Sequence, residues 1–136
     1  MRILGVDYGD ARTGIALSDP TGLLASAVET VTAYNPEKCA DAVAGIARRV
    51  SAEKIVLGLP RNMDGSEGFR AEKSRVFGGL LAEKTGLPVI LWDERVTTNA
   101  AHQILADNGR SGKKRKSVVD QVAAVLILQS WLDSQN

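Results

Sequence analysis

The sequence predicts an α/β fold in which helices flank a five-stranded mixed sheet, an antiparallel three-stranded meander extended by parallel strands. Three observations predict it. Two short apolar runs, residues 3–6 and 15–17, flank a turn to which Gly9, Asp10 and Gly14 are assigned, which is typical of an antiparallel hairpin. Further along, segments with helical spacing alternate with short apolar runs, which favours parallel crossovers. The last segment is apolar almost all round, as in a largely buried helix.

The elements of the first half follow in chain order. Residues 23–33 contain strand formers that would complete the meander. Asn35 and Pro36 predict the start of an amphipathic helix, because asparagine is a good N-cap and proline fits the first helical turn. The apolar run 55–59 predicts a strand buried on both faces. A polar, glycine-rich loop then covers residues 61–68.

The second half predicts three helices and one strand. The apolar residues of the first of these helices are Val76, Phe77, Leu80 and Leu81. That helix ends at Gly86, and a buried strand over residues 89–92 runs into acidic residues. A helix capped at position 97 or 98 should extend to about residue 108. The final helix is predicted from Ser117 to about residue 132.

Length and composition limit the class of protein. With 136 residues, of which 44% are hydrophobic, we expect one domain spanning residues 1–136. No apolar run approaches the roughly 18 residues that would span a bilayer, and the N-terminus has no signal-peptide pattern, so we expect a cytoplasmic protein. The single cysteine, Cys39, lies on the apolar face of a predicted helix and should be a buried structural thiol. The net charge of +1 does not by itself indicate a partner.

Three acidic residues at the ends of predicted elements form the candidate site. Asp7 ends the first strand, Glu94 follows the last strand, and Asp120 lies in the first turn of the final predicted helix. Burying a carboxylate is unfavourable unless a cation or a hydrogen-bond donor compensates it. Oxygen ligands, with no cysteine cluster and one histidine (His102, predicted to be exposed), suit Mg²⁺ or Mn²⁺ better than zinc. Two such ions would activate water and stabilise the leaving oxygen during phosphodiester cleavage.

Each acidic residue also has a structural interpretation. Asp7 alone could be a turn aspartate that accepts hydrogen bonds from backbone N–H groups. Asp120 could complete a capping box with Ser117. Asp93 and Glu94 could be a solvated strand end, and because side chains alternate along a strand, only one of this pair would readily face the site.

Basic residues are concentrated near the C-terminus. They are Arg110, Lys113, Lys114, Arg115 and Lys116. This stretch is predicted to be a loop directly before the helix that carries Asp120, so it could reach a phosphate backbone lying across the acidic site. The alternative is a solvated run of charge. Arg12, Asn62 and Arg95 are further candidates for contacting substrate phosphates or positioning loops.

Four ordered motifs resemble the YqgF/RuvX family and together span nearly the whole chain. They are Val-Asp-Tyr-Gly from Val6 with Arg12 and Gly14, Gly-Leu-Pro-Arg-Asn-Met-Asp-Gly-Ser-Glu-Gly from Gly58, Asp-Glu-Arg-Val-Thr-Thr from Asp93, and Val-Asp-Gln-Val-Ala-Ala-Val-Leu-Ile-Leu-Gln from Val119. The resemblance implies an RNase H-like fold, shared with Holliday-junction resolvases, and a nuclease acting in 5′-end maturation of pre-16S rRNA. It also implies that Asp7, Glu94 and Asp120 match the family's acidic positions.

One position departs from the pattern of the family. The turn here has Ala11 before Arg12, where relatives often carry a lysine. The role of the arginine is unaffected, but no contact from that lysine is expected.

Other classes of protein remain open. The Asp-x-Gly turn also resembles the phosphate-binding hairpin of actin-like and sugar-kinase ATPases, although those proteins close two such domains over the nucleotide and this chain has the length of one. A Holliday-junction-type DNA resolvase and a non-catalytic RNA-binding ribosome assembly factor are the remaining alternatives. Dependence on a divalent ion separates the nuclease from the binding factor. We expect structured RNA such as precursor rRNA, or branched DNA, as the partner, no membrane, and a monomer or homodimer.

Overall fold

The computed structural model describes residues 1–93 and 112–135, and in the last helix it describes side chains from Asp120 onward. The strands are β1 (Ile3–Asp7), β2 (Arg12–Ser18), β3 (Ala25–Thr32), β4 (Lys54–Leu59) and β5 (Val89–Asp93). The helices are α1 (Pro36–Arg49), α2 (Phe69–Thr85) and α3 (Gly112–Gln135). The helix predicted to end near residue 108, with His102, lies outside the described residues.

The five strands form one mixed sheet in the order β3-β2-β1-β4-β5. β2 is antiparallel to both β1 and β3, whereas β4 is parallel to both β1 and β5. The predicted fold class, with its meander and parallel extension, is therefore confirmed. Because β1, β4 and β5 run in the same direction, their carboxyl ends meet at one edge of the sheet, which is where α/β folds build their sites.

Helix α1 begins as predicted. The side-chain oxygen of Asn35 accepts hydrogen bonds from the N–H groups of Glu37 (2.9 Å) and Lys38 (3.2 Å), and Pro36 occupies the first helical position. On the inward face the Cys39 thiol is buried and donates to Oγ1 of Thr13 at 3.3 Å. Burial raises the pKa of the Cys39 thiol, so it stays protonated and unreactive. The predicted structural thiol is confirmed.

Helix α2 ends as predicted, and of the four residues predicted on its apolar face only Val76 is exposed. Gly86 follows it in the left-handed region (φ 69°), which glycine adopts without steric cost. The buried residues are Ala71, Ser74, Phe77, Gly78 and Leu81. Val76 was predicted on the apolar face, but it is 62% exposed. That prediction is wrong because Val76 lies beside the stripe that contacts the sheet.

The two parallel strands beyond β1 differ in burial. Every residue of β4 from Ile55 to Leu59 is buried, as predicted. β5 was also predicted to be buried, but all five of its residues are only partly buried. The reason is position: in the described sheet β5 is a terminal strand that pairs with β4 alone.

Apolar cores lie on both faces of the sheet. Helices α1 and α2 cover one face, where the core includes Leu4, Val6 and Phe77. Helix α3 covers the other face, where the core includes Ile3 and Leu128. The described side chains of α3 are buried or partly buried as far as residue 132, which confirms a largely buried final helix.

Helix α3 begins at Gly112 rather than at Ser117. Asp120 therefore lies in the third turn and not in the first, and the predicted capping box is excluded. The basic residues from Lys113 to Lys116 belong to the helix, so the loop predicted for them is wrong. Neither α3 nor any other helix in the described ranges combines the length and the apolar character needed to span a bilayer.

Candidate functional site

Two glycines allow α3 to approach the sheet closely. A Cβ atom on Gly14 of β2 would lie 1.9 Å from the carbonyl oxygen of Asp120, and one on Gly5 would lie 2.7 Å from Cβ of Leu128. No other residue fits at such distances. Gly14 was predicted to belong to the turn between β1 and β2. That prediction is wrong, because Gly14 lies inside β2 and is required for the contact with α3.

Asp7 and Asp120 are neighbours on the face that α3 covers. Asp7 is the ladder partner of Gly14, the residue against which Asp120 packs. Two residues earlier on β1, a Cβ on Gly5 would lie 3.1 Å from the carbonyl oxygen of Ala124. Residues two apart share a face of a strand, and residues four apart lie one turn apart on a helix. Because Ala124 lies over Gly5, Asp120, one helical turn earlier in α3, lies near Asp7, two residues further along β1.

Arg12 contacts Asp120 directly. Its Nε donates to Oδ2 of Asp120 at 3.1 Å, and both side chains are partly exposed. Next to Asp120, the side chain of Gln121 donates to Oγ1 of Thr30 at 3.0 Å, which ties α3 to β3. Arg12 therefore lies where it offsets part of the negative charge of the two carboxylates.

Asp93 belongs to the other face of the sheet. Along β5, Trp92 packs in the core beneath α3, and its Nε1 donates to Oγ of Ser130 at 3.2 Å. Leu91 packs on the α1–α2 side. Because side chains alternate along a strand, Asp93 shares the face of Leu91 and not that of Asp7. The two predicted site residues that follow β5 lie outside the described residues: Glu94 and Arg95.

Asn62 helps to fold the loop between β4 and α2. Its backbone N–H donates to the carbonyl of Ser66 at 2.9 Å, its side-chain amide donates to Oγ of Ser66 at 3.0 Å, and its carbonyl accepts from Gly65 at 2.8 Å. Glu67 anchors the same loop by accepting hydrogen bonds from Arg75 at 2.6 and 2.7 Å. These bonds lower the pKa of Glu67. The loop is thus attached to α2 by the bidentate ion pair between Glu67 and Arg75.

The predicted basic contacts are described only in part. Arg110 lies outside the described residues. The backbone of α3 includes Lys113, Lys114, Arg115 and Lys116, and the description of its side chains begins at Asp120. Their contact with substrate stays a prediction.

The cations and aromatic rings beside the Asn62 loop were not among the predicted site residues. Arg61 and Arg70 line one cleft with Asn62, of about 230 Å³. Phe69 lines the same cleft and also an adjoining groove. A signal was present, because Arg61 lies within the second motif and Phe69 and Arg70 follow that motif directly.

Solved structures define the class to which this fold belongs. RuvC of Thermus thermophilus in complex with a Holliday junction substrate matches with a TM-score of 0.62 and 16% identity, over 99% of this chain and 95% of that one. The Fowlpox virus resolvase in complex with Holliday junction DNA matches with a TM-score of 0.59 and 14% identity, over 99% of each chain. The fold is therefore RNase H-like, of the kind found in Holliday-junction resolvases.

The chain belongs to the RuvX family, whose model is described as Holliday junction resolvase and matches residues 1–134. A relative from Pelotomaculum thermopropionicum is 48% identical over 136 residues, which cover 99% of this chain and 88% of that protein. A relative from Listeria innocua is 46% identical over 138 aligned positions, with both chains covered completely. Both relatives bear the name "Putative pre-16S rRNA nuclease". The resemblance inferred from the four motifs is confirmed.

Proposed function

We propose that this protein is a metal-dependent nuclease that cleaves a phosphodiester bond of structured RNA in the 5′-end processing of pre-16S rRNA. One observation carries the proposal: Asp120 packs against Gly14, the ladder partner of Asp7, so two carboxylates share one face at the carboxyl end of β1. The names of relatives similar over the full chain support an RNA substrate. The proposed catalytic residues are Asp7, Glu94 and Asp120.

The donor atoms at this position fit Mg²⁺ or Mn²⁺. Carboxylate oxygens are the ligands these ions prefer. Among the residues with described positions, no three His, Cys, Asp or Glu side chains are grouped to hold a metal ion. The proposed set of Asp7, Asp120 and Glu94 therefore includes one residue, Glu94, that is not among those described. Asp93 is not proposed as a ligand because it belongs to the other face of the sheet. When bound, such ions lower the pKa of a water and offset charge on the reacting phosphate.

Arg12 and the basic residues would bind and orient the substrate. The Nε of Arg12 contacts Asp120, and the remaining N–H groups of the guanidinium suit a phosphate oxygen. We propose that Asn62 shapes the neighbouring loop through its contacts with Ser66. Further phosphate contacts are proposed for a set of basic residues: Arg95, Lys113, Lys114, Arg115 and Lys116. Such contacts would offset the repulsion between the acidic site and a polyanion.

Cleavage of branched DNA is a second candidate function. The description of the family model favours it, and two of the matched structures contain Holliday junction DNA. A non-catalytic RNA-binding assembly factor would need no divalent ion. For either nuclease we propose a cytoplasmic, single-domain protein spanning residues 1–136 that acts as a monomer or homodimer.

The proposed function is tested by offering three substrates with Mg²⁺ and with EDTA: a pre-16S rRNA fragment, single-stranded RNA and a four-way DNA junction. We expect Mg²⁺-dependent cleavage of the rRNA fragment. Asp7→Asn should abolish cleavage and leave the Tm unchanged or slightly higher, because it removes repulsion between neighbouring carboxylates. Asp133→Asn, at the exposed end of the same helix as Asp120, is the matched control and should keep full activity.

Preferred cleavage of the junction would favour the second candidate. Binding of RNA without cleavage under either condition would favour the assembly factor. Full activity of Asp7→Asn would contradict the catalytic assignment itself.

A further inference from the structure

All four tyrosine and phenylalanine residues of the chain line one groove. The sequence contains two of each, and Tyr8, Tyr34, Phe69 and Phe77 all face an open groove of about 540 Å³ beside the first turns of α1 and α2. Tyr8 stacks on Phe77 with ring centroids 4.0 Å apart and an angle of 11° between the rings. Tyr34 is 82% exposed and Phe69 is 70% exposed. The groove thus combines a packed aromatic pair with two rings open to solvent.

Flat, exposed rings suit a flat apolar ligand. The groove volume lies within the range of about 300–1,000 Å³ that is usual for ligand sites. Nucleobases stack on exposed aromatic side chains in proteins that bind single-stranded nucleic acid, and this stacking does not depend on base sequence because every base has a π-face. An unpaired base therefore fits the chemistry of Tyr34 and Phe69.

The charged residues that line the groove show which part of a nucleic acid it suits. Within the groove, Lys73 pairs with Asp10 at 3.1 Å and lies 4.6 Å from the centre of the Phe69 ring. Glu72 also lines the groove, so its lining carries no excess of positive charge. This environment suits an uncharged base better than a phosphate.

The cations that could bind phosphates lie on the other side of Phe69. That ring also lines the cleft that holds Arg61 and Arg70. Arg61 lies 3.6 Å from a carboxylate oxygen of Glu67, whereas Arg70 has no ion-pair partner among the residues that the structure describes. A strand whose bases enter the groove could therefore place its backbone along Arg70.

The groove also adjoins the candidate catalytic site. Tyr8, which lines it, directly follows Asp7 in the chain. A small gap lined by Tyr8, Pro60 and Arg70 lies between the end of β1 and the cationic cleft. A nucleic-acid strand bound across this edge of the sheet would pass from the acidic face to the aromatic groove within a few residues of Asp7.

We propose that this aromatic groove binds unpaired nucleobases of a single-stranded RNA segment next to the cleaved bond. The inference rests on the proposed nuclease function and narrows its substrate class. Bases within a duplex are stacked on one another, so only an unpaired segment presents them to Tyr34 and Phe69. The substrate is accordingly a structured RNA with a single-stranded flank, and not a fully paired junction.

The experiment measures binding of the full-length protein to two RNA hairpins in EDTA, which prevents metal-dependent cleavage. One hairpin carries a single-stranded flank containing 2-aminopurine, and the other is blunt. Tyr34→Ala and Phe69→Ala should each raise the Kd of the flanked hairpin roughly tenfold and reduce quenching of 2-aminopurine, with the Kd of the blunt hairpin unchanged. Tyr34→Phe and Phe69→Tyr should retain binding because they keep a ring.

Leu24→Ala is the matched control. Leu24 is 68% exposed and lies just before β3, at the edge of the sheet opposite to Asp7, so it should alter neither Kd. All these positions are exposed, and thermal melting would verify that each variant is folded. An equal loss for both hairpins, or no loss for either, would overturn the groove assignment. A change of oligomeric state in Tyr34→Ala with unchanged RNA binding would also overturn it, by assigning the groove to a protein partner.

The outcomes separate this inference from the proposed function. If the wild-type protein binds the flank through Tyr34 and Phe69 but cleaves nothing in Mg²⁺, the nuclease assignment fails and the groove assignment stands. If the protein cleaves RNA and the ring variants bind normally, only the groove assignment fails.

Discussion

Two neighbours position Asp120 in different ways. Arg12 acts through charge and a hydrogen bond of 3.1 Å. Gly14 acts through the absence of a side chain, which lets the backbone of α3 contact β2. Because Asp120 lies in the third turn of α3, its place cannot be explained by helix capping. At the scale of the residue, Arg12 thus holds the carboxylate of Asp120 and Gly14 leaves room for its backbone. Both features are consistent with a role for Asp120 in the candidate catalytic site.

Replacing Arg12 should separate its roles in stability and binding. Arg12→Ala should lower the free energy of unfolding by less than about 1 kcal/mol, because partly exposed ion pairs contribute little. It should weaken RNA binding more clearly, since a phosphate contact is lost, and Arg12→Lys should restore binding only in part because lysine lacks the planar fork. Chemical denaturation and RNA titration measure the two effects.

Arg49→Ala is the control for Arg12, because Arg49 forms an exposed ion pair with Glu29 at 2.8 Å on another part of the molecule. It should change stability as little and leave RNA binding unaltered. A loss of more than about 2 kcal/mol in Arg12→Ala with normal binding would make Arg12 a structural residue, since exposed pairs do not reach that magnitude.

At the scale of the element, the placement of α3 decides the geometry of the site. Gly5 and Gly14 lie on adjacent strands and both accept the close approach of α3. The same contact brings Asp120 over the ladder partner of Asp7. A displacement of α3 would therefore separate the carboxylates even if each element stayed intact.

Gly14→Ala should impair activity through the position of α3. The added Cβ would meet the backbone of Asp120 at 1.9 Å, and such overpacking costs about 1–3 kcal/mol. We expect cleavage to fall further than the loss of stability explains, because the helix must move away from β1. Thermal melting and cleavage rates at a temperature where the variant is folded test this prediction.

Gly45→Ala and Gly79→Ala are the matched controls for Gly14→Ala. A Cβ at either position meets nothing within 4 Å, and both residues lie within helices, where alanine is favoured over glycine by roughly 0.5–1 kcal/mol. They should raise the Tm and keep full activity. If Gly14→Ala behaved in the same way, α3 would not be held as closely as described.

At the scale of the whole molecule, the sheet separates the candidate catalytic site from the proposed base-binding groove, and the two meet at one edge. The α3 face carries Asp7 and Asp120, and the α1–α2 face carries the aromatic groove. The net charge is only +1, so the overall field attracts a polyanion weakly. Binding of nucleic acid therefore depends on local cations, and the basic start of α3 is the densest group of these in the sequence.

Neutralising that group should reduce the salt dependence of RNA binding. Because the segment is helical, Lys113, Lys114 and Lys116 are best replaced by glutamine, which keeps helix propensity. Each lost phosphate contact lowers the slope of log affinity against log salt by roughly 0.7 for a single strand, so the triple variant should lose up to about two units. Titrations over a range of salt concentrations measure it.

Replacing Arg48, Lys54 and Lys84 by glutamine provides a control with the same change in net charge, and its slope should stay near that of the wild type. If the triple variant of Lys113, Lys114 and Lys116 kept the wild-type slope of log affinity against log salt, nucleic acid would not contact this segment.

Sequence patterns were sufficient to predict the order of the described elements and several of their ends. Asn35 and Pro36 marked the start of α1, and Gly86 marked the end of α2. These signals are local, because a cap or a left-handed glycine acts on backbone groups within a few residues. The four motifs likewise identified the family and the RNase H-like fold. The acidic candidates could be named from sequence because each lies next to strongly apolar neighbours, where an uncompensated carboxylate is costly.

The arrangement of those candidates depends on contacts between segments that are distant in the sequence. Gly14 has the sequence context of a turn residue, but its place is set by the packing of α3 against β2. The face to which Asp93 belongs follows only from the packing of its neighbours in β5. The start of α3 at Gly112 was missed because a strong cap signal at Ser117 competed with it. The groove joins Tyr8, Tyr34 and Phe69 from separate parts of the chain. Local patterns do not encode such contacts, because they form only when packing brings distant segments together.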